Sequence, residues 1–172
     1  VVLQHDGGRP ERGEMFDPVT DSWSPVSSEG APRYGSFDEG NGPLGSPSYF
    51  AFEDWVVVTW FDGNHGARFS GAVLDARQNT WRPMSTAGMP DRLPEAVVRG
   101  AAGILVRFHA DAGGDRYDIR ADRWTPITSE GAPPGATGAT FTTVGDHVIV
   151  WGGREARGAI YDVRADHWST MT

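Results

Sequence analysis

The amino-acid sequence predicts an all-β chain built from four copies of one unit of short antiparallel strands. Three observations support this prediction: a motif that recurs four times, turn residues at intervals of about ten, and the absence of any sustained 3.6-residue apolar period. The 172 residues include 23 glycines and 12 prolines, so turns are frequent. A chain of this length can bury the core of one domain, and we expect a single repetitive unit over residues 1–172.

The recurring motif joins a glycine, a large apolar residue, an aspartate and a tryptophan at fixed spacing. The apolar residue directly precedes the aspartate, and the tryptophan follows the aspartate by six residues. The four gap-free copies are GEMFDPVTDSW (13–23), GAVLDARQNTW (71–81), GDRYDIRADRW (114–124) and GAIYDVRADHW (158–168). Because the same residue types recur in every copy, we interpret these aspartates and tryptophans as structural rather than catalytic. We interpret Arg77, Arg120 and Arg164, two residues after an aspartate, as solvated turn residues.

An apolar run precedes each copy, and a proline-bearing loop follows three of them. The runs are VVLQ (1–4), WVVV (55–58), GILV (103–106) and HVIV (147–150), and the prolines are Pro32, Pro90 and Pro133. In the last copy we place strands near 137–144, 147–151, 159–162 and 167–171. The run VIVW (148–151) is continuously apolar, so we expect it to be buried on both faces.

Polar and aromatic residues of the last copy have predicted roles in its final hairpin. Asp162 and Asp166 bracket the turn, and we expect their carboxylates to accept hydrogen bonds from turn N–H groups. We expect Trp168 to pack between adjacent units, because a buried tryptophan removes about 150–250 Å² from water.

The tryptophans recur at intervals of 58, 43 and 44 residues. The two later intervals match the length of one four-stranded blade of a β-propeller. The first interval contains about 14 extra residues, which we place in a glycine-rich, polar insert at 33–46. We therefore expect blades at about 1–32, 47–90, 91–134 and 135–172, with 15 strands in all because the first blade lacks its inner strand.

The sequence resembles the kelch repeat family in VIVWGG (148–153), in IYD (160–162), and in the following tryptophan and proline-bearing loop. The resemblance covers nearly the whole chain. It is weaker where Asp62-Gly63 replaces Gly-Gly, where Leu74 replaces tyrosine, and where the third Gly-Gly pair is displaced. It implies a β-propeller of four-stranded antiparallel kelch-type blades. Such rings usually have six or seven blades, so the chain is expected to be part of a longer propeller, half of a homodimeric ring, or a small closed ring.

Composition excludes several classes of function. The net charge of −8 argues against nucleic-acid binding, which needs a basic surface. No apolar run approaches the ~20 residues of a membrane-spanning helix. The absence of cysteine excludes thiolate catalysis and cysteine metal ligands within these residues. All 15 basic residues are arginine, which indicates a GC-rich, bacterial coding bias. We expect a soluble bacterial protein, and the sequence leaves its compartment, extracytoplasmic or other, open.

Candidate binding residues interrupt the repeat in the loops that join the second and third strands. In a propeller these loops emerge on one face, and the resemblance implies that such faces bind partner proteins or small molecules. The loops contain five arginines and four carboxylates, so this face is less acidic than the rest of the chain. An arginine fork suits a carboxylate or sulfate, so we predict an anionic peptide or sugar as ligand. The predicted ligand-binding residues are Arg9, Arg12, His65, Arg68, His109, Arg154 and Arg157.

The sequence contains no nucleotide-binding or hydrolase motif and little that would hold a metal. Residues 62–66 lack the distal carboxylate of a calcium loop, and the spacing of His109, Asp111 and Asp115 does not by itself establish a site. We expect no cofactor, no metal and no catalytic residue. The leading hypothesis is a non-catalytic binding module. The alternatives are a carbohydrate-active pocket enzyme, epimerase- or lyase-like, and a structural or assembly unit.

Overall fold

A computed structural model describes residues 2–6, 9–32, 47–62, 68–101, 103–111, 113–153 and 157–171, with the backbone alone at 2–6, 9–12, 62 and 157. Every helix or strand in these ranges is a β-strand, which confirms the all-β prediction. No helix in the described part of the chain is long and apolar enough to cross a membrane. The predicted insert at 33–46, as well as His65 and Arg154, lies outside the described residues.

Four antiparallel sheets follow one another along the chain, and within each sheet the strands lie in sequence order. The first sheet comprises β1 (Val2–Asp6), β2 (Arg9–Asp17) and β3 (Ser22–Pro25). The second comprises β4 (Ser48–Ala51), β5 (Trp55–Asp62), β6 (Arg68–Asp75) and β7 (Thr80–Pro83). The third comprises β8 (Ala96–Arg99), β9 (Ile104–Phe108), β10 (Gly114–Asp118) and β11 (Arg123–Pro126). The fourth comprises β12 (Ala139–Val144), β13 (His147–Gly152), β14 (Arg157–Asp162) and β15 (His167–Thr170).

The chain divides into two compact units, Val1–Met84 and Ser85–Thr172, each containing two sheets. In the first unit an apolar core joins Met15 and Val26 to side chains of the second sheet, among them Trp81. In the second unit, side chains of the third and fourth sheets form one core. The single unit over residues 1–172 and the arrangement of the blades in a ring stay predictions.

The strand expected to be buried on both faces is buried on only one. Val148 and Val150 are buried in the core of the second unit, whereas Trp151 is 55% exposed. Successive side chains of a strand point to opposite faces, so the valines face the third sheet and Trp151 faces away from it. The expectation was wrong for Trp151 because a continuous apolar run does not specify whether both faces have a neighbour.

The repeated aspartates stabilise the turn before the last strand of each sheet. The Oδ1 atoms of Asp17, Asp75, Asp118 and Asp162 each accept a hydrogen bond from the N–H two residues further on, at 2.8–2.9 Å. Asp162 also accepts the N–H of Ala165 at 2.8 Å. This confirms the predicted role of Asp162. Arg77 and Arg164 are exposed as expected, but each forms an ion pair with a turn carboxylate, Asp54 and Asp146 respectively.

The repeated tryptophans bind three connecting segments of closely similar sequence, which we call the connectors: SSEGAP (27–32), STAGMP (85–90) and TSEGAP (128–133). The indole Nε1–H groups donate to the first connector residue's carbonyl at 2.9 Å, in the pairs Trp81–Ser27, Trp124–Ser85 and Trp168–Thr128. The N–H of that same residue donates to a side-chain oxygen of Asn79, Asp122 or Asp166. We call this pair of hydrogen bonds the tryptophan clamp.

Asp166 therefore has a role other than the one predicted. Its Oδ1 accepts the N–H of Thr128 at 3.0 Å and the hydroxyl of Tyr161 at 2.7 Å, rather than a turn N–H. Asp166 has a φ of +52°, and Asp21, Asn79 and Asp122 have similar values. Asn and Asp tolerate this left-handed conformation better than other non-glycine residues, which explains their recurrence two residues before each tryptophan.

Each connector also needs its glycine. In the third connector the N–H of Ala132 donates to the carbonyl of Ser129, and Gly131 has a φ of +77°, as the third position of a type II turn requires. A Cβ at Gly131 would lie 3.3 Å from the Trp168 Cβ and carbonyl oxygen. The connectors therefore share the sequence Ser/Thr-x-x-Gly because the first residue is bound by the tryptophan clamp and the glycine forms the turn next to the tryptophan.

The contribution of the clamp can be separated from backbone strain with a matched pair of substitutions. Asp21 shares the left-handed backbone of Asp166, but no described residue donates a hydrogen bond to it. Asp21→Ala should cost about 1 kcal/mol from strain alone. Asp166→Ala should cost about 2–4 kcal/mol, because Thr128 N–H and Tyr161 O–H also lose their acceptor. Native-state hydrogen exchange in the substituted sheet measures both losses, and equal values would contradict a role for the clamp.

Acid should remove the contribution of Asp162. Hydrogen bonds from the N–H groups of Ala165 and Arg164, together with the nearby charge of His147, hold its pKa below the ordinary value of 3.8. A lowered folded-state pKa stabilises the fold above the unfolded pKa, and this stability is lost as pH falls through the folded pKa. The free-energy difference between wild type and Asp162→Asn, from urea unfolding, should therefore shrink below about pH 4. A constant difference down to the folded pKa would contradict this.

Candidate functional site

The residues predicted to bind a ligand lie in different environments. Arg9 and Arg12 lie within β2 rather than in the preceding loop, and Arg157 is the first residue of β14. Arg68 begins β6 and is exposed. His109 is buried, and its side chain is 4% exposed. The structure thus assigns Arg68 to the surface and His109 to the interior, and it describes no side chain for the other five.

The loops between second and third strands in the second unit share one framework. The carbonyl of Ala110, in the third sheet's loop, accepts the N–H of Ala136 at 3.1 Å. Gly153, in the fourth sheet's loop, is close enough to the same segment that a Cβ there would lie 3.2 Å from the Gly135 carbonyl oxygen. Residues 109–111, 113, 135–137 and 152–153 are therefore neighbours, and we call them the loop end of the second unit.

A buried charged cluster lies beneath this loop end. The Arg107 guanidinium donates to both carboxylate oxygens of Asp115, from Nε at 2.7 Å and from Nη2 at 2.9 Å. His109 Nε2 lies 2.8 Å from Asp115 Oδ2. The guanidinium also stacks on Trp124, 4.5 Å from the ring centroid. The side chains of Arg107 and Asp115 are fully buried, so this is a desolvated ion pair with a third titratable partner.

This cluster interrupts the repeat at one pair of positions. Arg107 and Asp115 face one another across β9 and β10. The equivalent positions hold Val58 opposite Ala72 in the second sheet and Val150 opposite Ala159 in the fourth. Replacing a buried valine–alanine pair by an ion pair loses hydrophobic burial and adds a desolvation cost of several kcal/mol per ion. The other sheets show that the strand pairing itself does not need these charges.

The cluster holds the segment that precedes β8 against the loop end. Arg107 Nη2 donates to the carbonyl of Pro90 at 3.4 Å, and His109 Nδ1 lies 3.4 Å from the carbonyl oxygen of Leu93. A protonated imidazole donates to both Leu93 and Asp115, whereas a neutral ring donates to one of them. At the surface, Arg92 bridges the same segment to the loop through Asp111 at 2.9 Å. The loop is therefore held by buried contacts at His109 and by a surface ion pair at Asp111.

The arrangement positions a loop rather than exposing a reactive group. A histidine oriented by an aspartate is a common general-base arrangement, but a base must reach its substrate. Here both side chains are buried, and His109 is turned toward protein oxygens. Within the described residues, no group of three or more His, Asp or Glu side chains could hold a metal ion.

A second feature of this unit is a cleft of about 450 Å³ beside the third sheet. Its basic side chains are Arg116, Arg123 and Arg164. Arg116 donates to the carbonyl of Val163 at 3.0 Å, and Arg164 forms its ion pair with Asp146 at 2.6 Å. Because two of the three guanidinium groups already have protein acceptors, the cleft is a weaker anion site than its composition suggests.

No protein-family model matches the chain, and no curated protein sequence matches it.

The sequence contains a signal for the cluster, which is the presence of charged residues at two strand positions. Arg107 continues the apolar run GILV (103–106), where the equivalent runs have valine, and Asp115 follows the displaced Gly-Gly pair. A charged residue inside a buried strand needs a partner, and the cross-strand position is the nearest place for it. Of the three residues whose spacing did not by itself establish a site, His109 contacts Asp115, whereas Asp111 binds Arg92.

The equivalent pairs in other sheets supply the substitutions that test the cluster. Asp115→Ala leaves Arg107 and His109 buried without their carboxylate, and should cost about 3–5 kcal/mol. Adding Arg107→Val recreates the pair of the second and fourth sheets, and should recover about 2 kcal/mol or more of that loss. Free energies of unfolding from urea titration give the coupling between the sites. Additive losses from the two substitutions would contradict the assignment.

Proposed function

We propose that this chain is a non-catalytic binding module of the kelch-type β-propeller class. In this proposal the loops between second and third strands form the binding surface, and the ligand is a protein or an anionic peptide or sugar. The observation that supports it most is the buried Arg107–Asp115–His109 cluster, because it lies beneath one of these loops and binds His109, the residue with which that loop begins.

A loop held in place loses less conformational entropy when it binds a ligand. The loop segment 109–111 is attached through His109 at its start, through Ala110 to Ala136, and through Asp111 to Arg92. A rigid sheet that presents preorganised loops is a recurrent solution for recognition without catalysis. The stability lost by placing charges in the third sheet therefore has a functional explanation.

In this proposal the exposed Arg92, beside the loop end, binds the anionic ligand. The Arg92–Asp111 pair is exposed, and exposed ion pairs contribute only about 0–1 kcal/mol. A carboxylate or sulfate of a ligand can therefore replace Asp111 on Arg92 at little cost, and the guanidinium fork binds such groups with two parallel hydrogen bonds. Arg68, which is exposed at the start of β6, is a second cation of this proposal, in the first unit.

Two anionic probes test this proposal: an octaglutamate peptide and a sulfated oligosaccharide, each titrated calorimetrically, with a neutral oligosaccharide as the blank. Replacing Arg12, Arg68 and Arg157 together with alanine should weaken binding of at least one probe about tenfold or more. The matched control replaces Arg77, Arg120 and Arg164, which removes the same charge at the turns between third and fourth strands.

The control triple variant should change the affinity less than about twofold. Equal weakening by the two triple variants would mean that the probes respond only to overall charge, and would overturn the proposed location. If neither probe saturates the wild-type protein, the prediction of an anionic ligand is overturned.

A further inference from the structure

Exposed aromatic side chains mark one face of the first sheet and one face of the fourth. Trp23 is 48% exposed, although the other three repeated tryptophans are buried. Trp151 is 55% exposed, and Met171 beside it is 38% exposed. Contiguous exposed apolar patches commonly mark interaction sites, and Trp151 and Met171 form such a patch over Gly158. The internal packing of the chain indicates what would cover this patch and the Trp23 ring.

The packing of the third sheet on the fourth provides the pattern. Phe108, from the third sheet, lies with its ring centroid 6.1 Å from that of Tyr161 and 5.8 Å from that of Trp168. Both ring pairs are edge-to-face, which is a favourable aromatic geometry. Ile127 belongs to the same buried core. One sheet thus supplies an aromatic and an aliphatic side chain, and the next supplies a pair of rings to receive them.

Trp151 and Met171 occupy in the fourth sheet the positions that Phe108 and Ile127 occupy in the third. Phe108 pairs across its hairpin with Gly114, and Trp151 pairs with Gly158. A Cβ on Gly158 would clash with the Trp151 ring and lie 2.8 Å from the Met171 sulfur, so both side chains lie over this glycine. The fourth sheet therefore repeats the inserting face of the third.

Phe16 and Trp23 repeat the receiving pair. Their ring centroids are 5.1 Å apart with planes inclined at 41°. The corresponding values for Tyr161 and Trp168 are 5.0 Å and 42°. Both pairs also share the same cross-strand register, between the last two strands of their sheets, β2–β3 and β14–β15. The receiving geometry in the first sheet is therefore formed in advance.

We propose that the Trp151 face of one copy of this chain packs on the Trp23 face of a second copy. A second copy is the occupant that the structure supports, because every chain carries both the inserting and the receiving face. In the contact, Trp151 takes the place of Phe108 and Met171 that of Ile127, against Phe16 and Trp23. The contact is head-to-tail, since two different surfaces meet.

Sedimentation velocity over a concentration series up to about 200 µM tests this contact, because interfaces with few anchoring residues often have micromolar affinity. The wild-type chain should associate reversibly. Trp23→Ser and Trp151→Ser should each weaken association about tenfold or more, because buried tryptophans are frequent anchors. The matched control Leu93→Ser removes another exposed apolar side chain that lies on neither face, and should leave association unchanged.

Mixing the two tryptophan variants separates this contact from a general loss of folding. The Trp23→Ser chain keeps an intact inserting face, and the Trp151→Ser chain keeps an intact receiving face. Their mixture should therefore form a complex that neither forms alone. A wild-type chain that stays monomeric at the highest concentration, or a mixture that fails to associate, would overturn the proposal.

Discussion

The tryptophan clamp is the interaction on which the rest of this structure depends. Each connector brings a backbone N–H and carbonyl against a neighbouring sheet, and buried polar groups of this kind are costly unless they are paired. The clamp satisfies both groups of one residue: at Thr128, the indole of Trp168 binds the carbonyl and Asp166 binds the N–H. Sheet packing and hydrogen bonding are thereby achieved by the same side chains, which explains why the tryptophan and the residue two before it recur together.

Clamp composition varies in a way that preserves its hydrogen bonds. Where the third strand supplies a tyrosine, as at Tyr161, the left-handed residue is an aspartate that accepts the hydroxyl. In the second sheet Leu74 has no hydroxyl, and Asn79 instead uses its amide to donate to the carbonyl of Pro25 at 3.1 Å while its oxygen accepts the N–H of Ser27. In the third sheet the clamp contacts the strand interior directly, because the guanidinium of the buried Arg107–Asp115 pair stacks on the clamp residue Trp124.

Much of the fold could be predicted from the sequence because its signals are local. The spacing of the motif and the alternation of strands and turns placed the strands of the fourth sheet within two residues of their observed bounds. The partner of Asp166 and the exposure of Trp151 could not be predicted, since each depends on which chain segment lies across a sheet face. The ion pair of Arg107 depends on cross-strand register, which a periodic pattern does not specify. His109 was predicted to bind a ligand only because it lies in a loop that joins second and third strands. In the structure it directly follows β9, which ends at Phe108, and it is buried.

Hydrogen exchange of individual backbone amides tests the clamp most directly. The amides of Ser27, Ser85 and Thr128 donate to the clamp oxygens, whereas the next residue of each connector is exposed and its amide has no acceptor in the described part of the chain. Each connector therefore contains its own control. The clamp predicts that these three amides exchange about a hundredfold or more slowly than their following neighbours in NMR-detected exchange. Exchange of both amides at the same rate in all three connectors would contradict it.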